Sequence, residues 1–143
     1  MSLYNIFNVS GSAMSAQTVR LNTIASNIAN ADSVASSTGE VYKARHPVFA
    51  AIMNETMSSG PGNSSAQNGG VKVTGIIESQ AEAVARYQPE NPLSDENGYV
   101  YAPNISLVEE MANMISASRS YQSNVQVANM TKSLLSRTLS LGQ

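Results

Sequence analysis

The chain carries one histidine and no cysteine, so any chemistry has to be built around His46 or around hydroxyl and carboxylate groups. His46 precedes Pro47 in a segment that reads as extended, with Lys43 and Arg45 beside it and no carboxylate nearby in sequence. A nucleophile needs a positioned base, and a triad here would reduce to His46 plus a serine and an acid that no motif places. Asp95, Glu96, Asn97 and Gly98 have the composition of a calcium loop. Leu93, however, would stand at its first ligand position and Asn104 at its last, where a bidentate glutamate belongs, so the four residues read as a turn. Gly69 and Gly70 lack the spacing of a phosphate-cradling loop and lead into a strand pattern, not a helix. Met53, Met57, Met111, Met114 and Met130 are adaptable packing residues that need no cofactor to explain them. The expectation is no catalytic residue, no metal and no cofactor, with an enzyme the least favoured class.

What the sequence does pattern is packing, at its two ends. Phe7, Met14, Leu21 and Ile28 recur every seven positions on one helical stripe, with Leu3, Ile24 and Ala31 on the row beside it. The helix they define starts near Ser2 and ends near Asn30, where Asn30, Ala31, Asp32 and Ser33 open a polar stretch. Opposite the stripe lie Asn5, Ser12, Asn22, Ser26 and Asn30, weak helix formers that leave the isolated helix marginal. Near the other terminus Leu107, Met111, Met114, Ser118, Tyr121, Val125, Ala128, Lys132, Leu135 and Leu139 alternate steps of four and three, and only Ser118 and Lys132 interrupt the apolar run. Ser106 followed by Glu109 is a capping box, Glu109 and Glu110 suit the positive end of a helix, and Gly142 stands just past Leu141. At 1.5 Å per residue this second helix is about 50 Å long, in the range of coiled coils. The competing arrangement is an antiparallel pair within one chain. The unequal lengths argue against it, because several turns of the longer helix would keep an uncovered apolar face.

Between the helices the signals are short. Val41 to Phe49 is a candidate strand interrupted at Pro47, which marks an edge or a strand end. Thr56 to Gly70 is dominated by Ser, Gly and Asn and reads as a flexible loop. Val71 to Ile77 and Ala81 to Tyr87 are further strand candidates that pair as a hairpin, and Asn97 and Gly98 form a tight turn into Tyr99, Val100 and Tyr101. The fold class is mainly α with a small β or irregular middle, divided as 1–33, 34–103 and 104–143, the two end helices packing as a coiled-coil-like axial layer.

Composition narrows the partners. Charged residues make up 13% of the 143 positions, against roughly 25% in ordinary globular proteins. Identical copies stacked closely set each charge beside its own image, so a homopolymer is better served by neutral hydrogen-bonding side chains. The formal charge is −2 and the Lys and Arg residues are scattered, which speaks against nucleic acid. No stretch approaches the roughly 20 apolar residues of a membrane span, and the N-terminus shows no basic region followed by an apolar run. Direct membrane insertion and a cleaved signal peptide are therefore not expected.

At Leu21 to Asp32, LNTIASNIANAD, and at Asn104 to Val125, NISLVEEMANMISASRSYQSNV, the chain resembles the rod proteins of the bacterial flagellar basal body, most closely those of the proximal rod. VYKARHPVF at Val41 to Phe49 and GYVYAPN at Gly98 to Asn104 extend the likeness, while Ser33 to Glu40 departs from the family pattern in lacking a proline. The resemblance implies a structural subunit, located in the basal body across the periplasmic space, whose terminal helices pack with copies of itself and other rod proteins into a tube that transmits torque. It also implies contact with the membrane-ring junction and passage through the flagellar type III export apparatus without a cleaved leader. On this reading Phe7, Met14, Leu21, Ile24, Ile28, Leu107, Met111, Met114, Tyr121, Val125, Leu135 and Leu139 carry the assembly contacts. A soluble helical adaptor or export chaperone is the alternative use of the same stripes.

Overall fold

The structure is a computed structural model that describes residues 3–52 and 69–141, with the backbone alone at positions 3 and 141. The loop expected at 56–70, except for its last two residues, lies outside the described residues, as do Met53, Met57 and Gly142. Six elements follow one another: α1 (Leu3–Asn30), β1 (Arg45–Ile52), β2 (Gly70–Glu78), β3 (Val84–Tyr87), β4 (Tyr99–Ala102) and α2 (Leu107–Leu141).

Both helices begin and end close to where the residue pattern puts them. Ser106 caps α2, its Oγ accepting the Glu109 backbone N–H at 3.4 Å and its carbonyl the Glu110 N–H at 3.0 Å. Many of the polar residues that weaken these helices are satisfied inside them. Thr23 donates to the Val19 carbonyl and Thr131 to the Val127 carbonyl, both at 2.8 Å, which allows the two threonines to be buried without a partner elsewhere.

The helices pack against each other within the chain. Asn27 meets Glu110 at one end, and Tyr4 and Phe7 face Thr131, Lys132 and Leu135 at the other, so the pair is an antiparallel hairpin. This corrects the length argument against an intramolecular pair. The buried residues of the two helices are mostly small or polar, Ala16, Thr23 and Asn27 with Ile24 from α1 and Glu110, Ala117 and Thr131 from α2, and small residues let two helices close with only Ile24 drawn from the apolar rows. By rise per residue α1 is about 42 Å long and α2 about 52 Å, so the longer helix runs past its partner at the open end.

The strand pairing also differs from expectation. Val71 to Ile77 does not pair with Ala81 to Tyr87; β2 pairs antiparallel with β1, and β3 with β4. Period-two alternation shows that a segment is a strand but carries no information about which strand it joins. In β1, Pro47 sits opposite Ile76, one residue before an irregularity at Val48 and Phe49, in a two-stranded ribbon whose outer edge tolerates its missing N–H. The strand begins at Arg45, not Val41. Val41 and Ala44 are buried; the Tyr42 hydroxyl bonds Ser26 and Asn27 of α1, and the Ala44 carbonyl accepts the Ser79 N–H at 2.7 Å just past the end of β2. The β1–β2 ribbon packs on α1, where Ser12 Oγ accepts the Val71 N–H at 3.2 Å and Gly70 passes so close that a Cβ there would lie 3.1 Å from that oxygen.

The β3–β4 ribbon lies beside the helix junction. Ala35 and Tyr101 exchange two backbone hydrogen bonds at 2.9 and 3.0 Å, which fixes the path of the connector after α1. The residues Asp95 to Gly98 are a turn as read: Asp95 Oδ1 accepts the N–H groups of Asn97 at 2.9 Å and Tyr99 at 2.8 Å, and Gly98 has φ of +80°, a conformation glycine adopts without strain. Tyr87 and Tyr99 meet edge to face at 5.3 Å.

Candidate assembly surface

The hydrophobic core of the described residues is too small for the apolar content of the chain. Eight apolar residues are buried, and five of them are alanine: Ala16, Ala31, Ala44, Ala102 and Ala117. Only Ile24, Val41 and Val100 are larger, and the largest fully buried side chains are Val100 and Asn27. Among the residues whose side chains are described, the leucines, methionines, phenylalanines and tyrosines lie half-buried or exposed, which reverses the usual order of burial.

Of the twelve residues that the heptads single out, Ile24 is buried inside the hairpin. Met14, Leu21, Ile28, Met114 and Val125 are half-buried along its flanks. Phe7, Leu107, Met111, Tyr121, Leu135 and Leu139 are exposed, from 36% for Tyr121 to 69% for Leu139. The fold brings Phe7 and Leu135 together: with Tyr4, Thr131 and Lys132 they line an almost wholly apolar groove of about 360 Å³ at the open end. The heptad pattern missed Val108, Ile115, Met130 and Leu134, which are more than half exposed on other faces of α2. Of the inward face it included Ile24 and missed the rest, whose signal was a seven-residue spacing of small and polar residues, Ser10 and Gln17 leading to Ile24 on α1, and Glu110, Ala117 and Asn124 on α2.

At the closed end the chemistry is polar and saturated around Asn27, which is fully buried. Its Nδ2 donates to the Arg45 carbonyl at 3.0 Å and to Glu110 Oε1 at 3.3 Å, while its Oδ1 accepts the Arg45 N–H at 2.9 Å and the Tyr42 hydroxyl at 3.0 Å. Two donors and two acceptors use the whole capacity of the amide. To the Arg45 peptide the side chain behaves as a neighbouring strand would, giving and receiving one hydrogen bond. Arg20, the only charged residue of α1, donates to Asn113 Oδ1 at 3.2 Å and bridges the helices a second time. His46 is exposed on β1 opposite Ile77, at the rim of a cavity of about 240 Å³ shared with Arg20, Phe49 and Glu110.

A charge-poor helical hairpin with alanines inside and large apolar residues outside defines a class of protein: a structural subunit whose core is completed by its neighbours. Residues 7–35 match the family described as flagella basal body rod protein, and residues 96–141 the family described as flagellar basal body rod FlgEFG protein C-terminal. The chain is 50% identical over 143 residues to the flagellar basal-body rod protein FlgC of Salmonella typhimurium and 51% identical over 143 residues to that of Yersinia enterocolitica, with all of each chain covered. The likeness to FlgC of Buchnera aphidicola subsp. Schizaphis graminum is 44% over 147 residues, again end to end. The chain belongs to the flagellar basal-body rod protein family: it is a structural subunit of the proximal-rod type, not an enzyme.

Proposed function

We propose that the exposed apolar residues of the hairpin are the contacts through which this subunit packs with copies of itself and with other rod proteins into a helical tube that carries torque. The observation that supports this most is the inversion of burial, alanines within and Phe7, Leu107, Met111, Tyr121, Leu135 and Leu139 without. Leaving six such side chains in water is costly for a monomer and favourable once neighbours cover them. A tube needs heterologous contacts that do not close into a ring, and two helices presenting unlike outer faces supply them. In this reading the axial layer is formed by 1–33 and 104–143, and 34–103 adds contacts outside it. The rod crosses the periplasmic space, meets the membrane-ring junction at its base, and receives the subunit through the flagellar type III export apparatus without removal of a leader. A core built mainly of alanine suits a chain that travels unfolded and gains most of its stability on docking.

The test is Leu135→Asp, which places a charge in the open-end groove without disturbing the buried face between the helices. Incorporation into basal bodies falls below detection while export into the medium continues. Normal incorporation of that variant overturns the proposal. Met114→Asp has the same expected result, with a folding defect added because Met114 is half-buried in the hairpin. The adaptor or chaperone reading draws support from the closed intramolecular hairpin; it requires that the exposed stripe hold a single transient partner, and that purified basal bodies lack the chain.

A further inference from the structure

The surfaces that join α1 to α2 offer little steric reason to choose one alignment over another. Inward positions one heptad apart are Ser10, Gln17 and Ile24 on one helix and Ala117, Asn124 and Thr131 on the other. Apart from Ile24 and Gln17 these side chains are small and make shallow ridges, so a slide of one heptad exchanges one modest contact for another. Polar contacts narrow the choice: Arg20 with Asn113 and the Ala35–Tyr101 bridge favour the observed alignment, and the most buried of these contacts is made by Asn27 with Glu110. In the observed alignment Asn27 donates to Glu110 Oε1, and the remaining three bonds of Asn27 tie it to Tyr42 and Arg45, so it cannot follow a sliding partner. Shifting α2 by one heptad would set Ala117 against Asn27 and carry Glu110 past the end of α1. Glu110 is 6% exposed, and its Oε2 already has no partner among the described residues. The slip therefore strands one N–H of the Asn27 amide, which stays fully buried, a larger penalty than the packing change.

We propose that Asn27 and Glu110 are the register lock of the hairpin: their hydrogen bond selects one alignment of two helices whose facing surfaces would otherwise tolerate several. The alignment fixes the relative height of Phe7 and Leu135, and with it the shape of the open-end groove. That consequence rests on the assembly reading above, whereas the register itself is a property of the single chain.

The chain has no cysteine, so engineered pairs report alignment directly. Ala13 and Asn124 lie two heptads from Asn27 and Glu110 respectively, which sets them at the same height, and Ala13→Cys with Asn124→Cys is the pair expected to form an intrachain disulfide in this register. Ala13→Cys with Thr131→Cys forms one only after a one-heptad slip. In the otherwise unchanged full-length chain the first disulfide forms and the second does not. Glu110→Ala removes the acceptor while leaving the Asn27 bonds to Tyr42 and Arg45 in place, and the first disulfide falls about tenfold while the second rises. Glu110→Gln keeps an amide oxygen for the Asn27 donor, and the first disulfide stays at full yield. The proposal is overturned if Glu110→Ala leaves the first disulfide at full yield. It is equally overturned if the first disulfide falls without the second rising, since Glu110 would then support folding in general and not the alignment. Because the readout is a disulfide within one chain, its failure leaves the Leu135→Asp test of assembly untouched.

Discussion

The two ends of the helical hairpin are built on opposite principles. The closed end is polar and buried around Asn27, which uses all its hydrogen-bonding capacity on Tyr42, Arg45 and Glu110. The open end is apolar and uncovered, with Tyr4, Phe7 and Leu135 around a groove and Leu139 beyond it. Hydrogen bonds are directional and specify a geometry, whereas apolar area is indifferent to its partner and supplies free energy wherever it is covered. The chain thus specifies itself where its segments converge and leaves the larger hydrophobic gain to contacts at the other end.

Substitutions at the two ends break or sharpen this contrast. The largest effect on the lone chain is expected from Asn27→Ala, which strands the Glu110 carboxylate and the Arg45 peptide and costs about 3–5 kcal/mol. Hydrogen exchange of the α1 amides reads it, and a change below about 1 kcal/mol would mean that the closed end does not hold the hairpin. Ala117→Leu forces a large side chain between the helices where Ala117 is fully buried, and is expected to cost about 1–3 kcal/mol in the same measurement. A smaller, pH-dependent loosening is confined to β3 and β4. The backbone N–H of Tyr99, ahead of those of Asn97 and Gly98 and the Tyr101 hydroxyl, holds the Asp95 carboxyl below its ordinary value of 3.8. Its contribution is therefore present above that value and lost as pH falls further, through the depressed folded-state value. Tyr101, whose hydroxyl bonds Asp95, is raised above its ordinary 10.0, so its contribution holds below 10.0 and disappears as pH rises through the higher folded value. Amide shifts of residues 95–101 should move in both ranges while those of α1 near Phe7 stay still; movement near Phe7 would show that the ends are coupled. The smallest effect on the lone chain belongs to Phe7→Ala, under about 1 kcal/mol because the ring is already 49% exposed. The same variant is expected to reduce incorporation into basal bodies several-fold.

The helices were legible because apolar residues at heptad spacing and a serine cap are strong local signals, and α1 and the start of α2 fall close to where Phe7 to Ile28 and Ser106 place them. The pairing of β1 with β2 was not, since alternation in Val71 to Ile77 is compatible with any neighbour. The inward face was hidden for a different reason. Ser10, Ala117 and Asn124 have no hydropathy contrast to mark them, and attention went to Leu107, Met111 and Leu135, which the hairpin leaves outside. Asn27 belongs to neither the apolar stripe nor the polar residues opposite it, and only the Arg45 backbone lying against it gives it a role. Its role depends on a contact between residues distant in sequence, which no local pattern encodes.

The two-bond bridge between Ala35 and Tyr101 sits a few residues beyond the end of α1 and a few before the start of α2. It works as a clasp across the neck of the hairpin. A pull that slides one helix along the other loads this bridge together with the Asn27–Glu110 and Arg20–Asn113 contacts farther along the pair. A pull that pries the helices apart at the neck falls first on the bridge and the Asn27 cluster. Resistance to sliding is thus shared along the hairpin, whereas resistance to prying is concentrated at its neck.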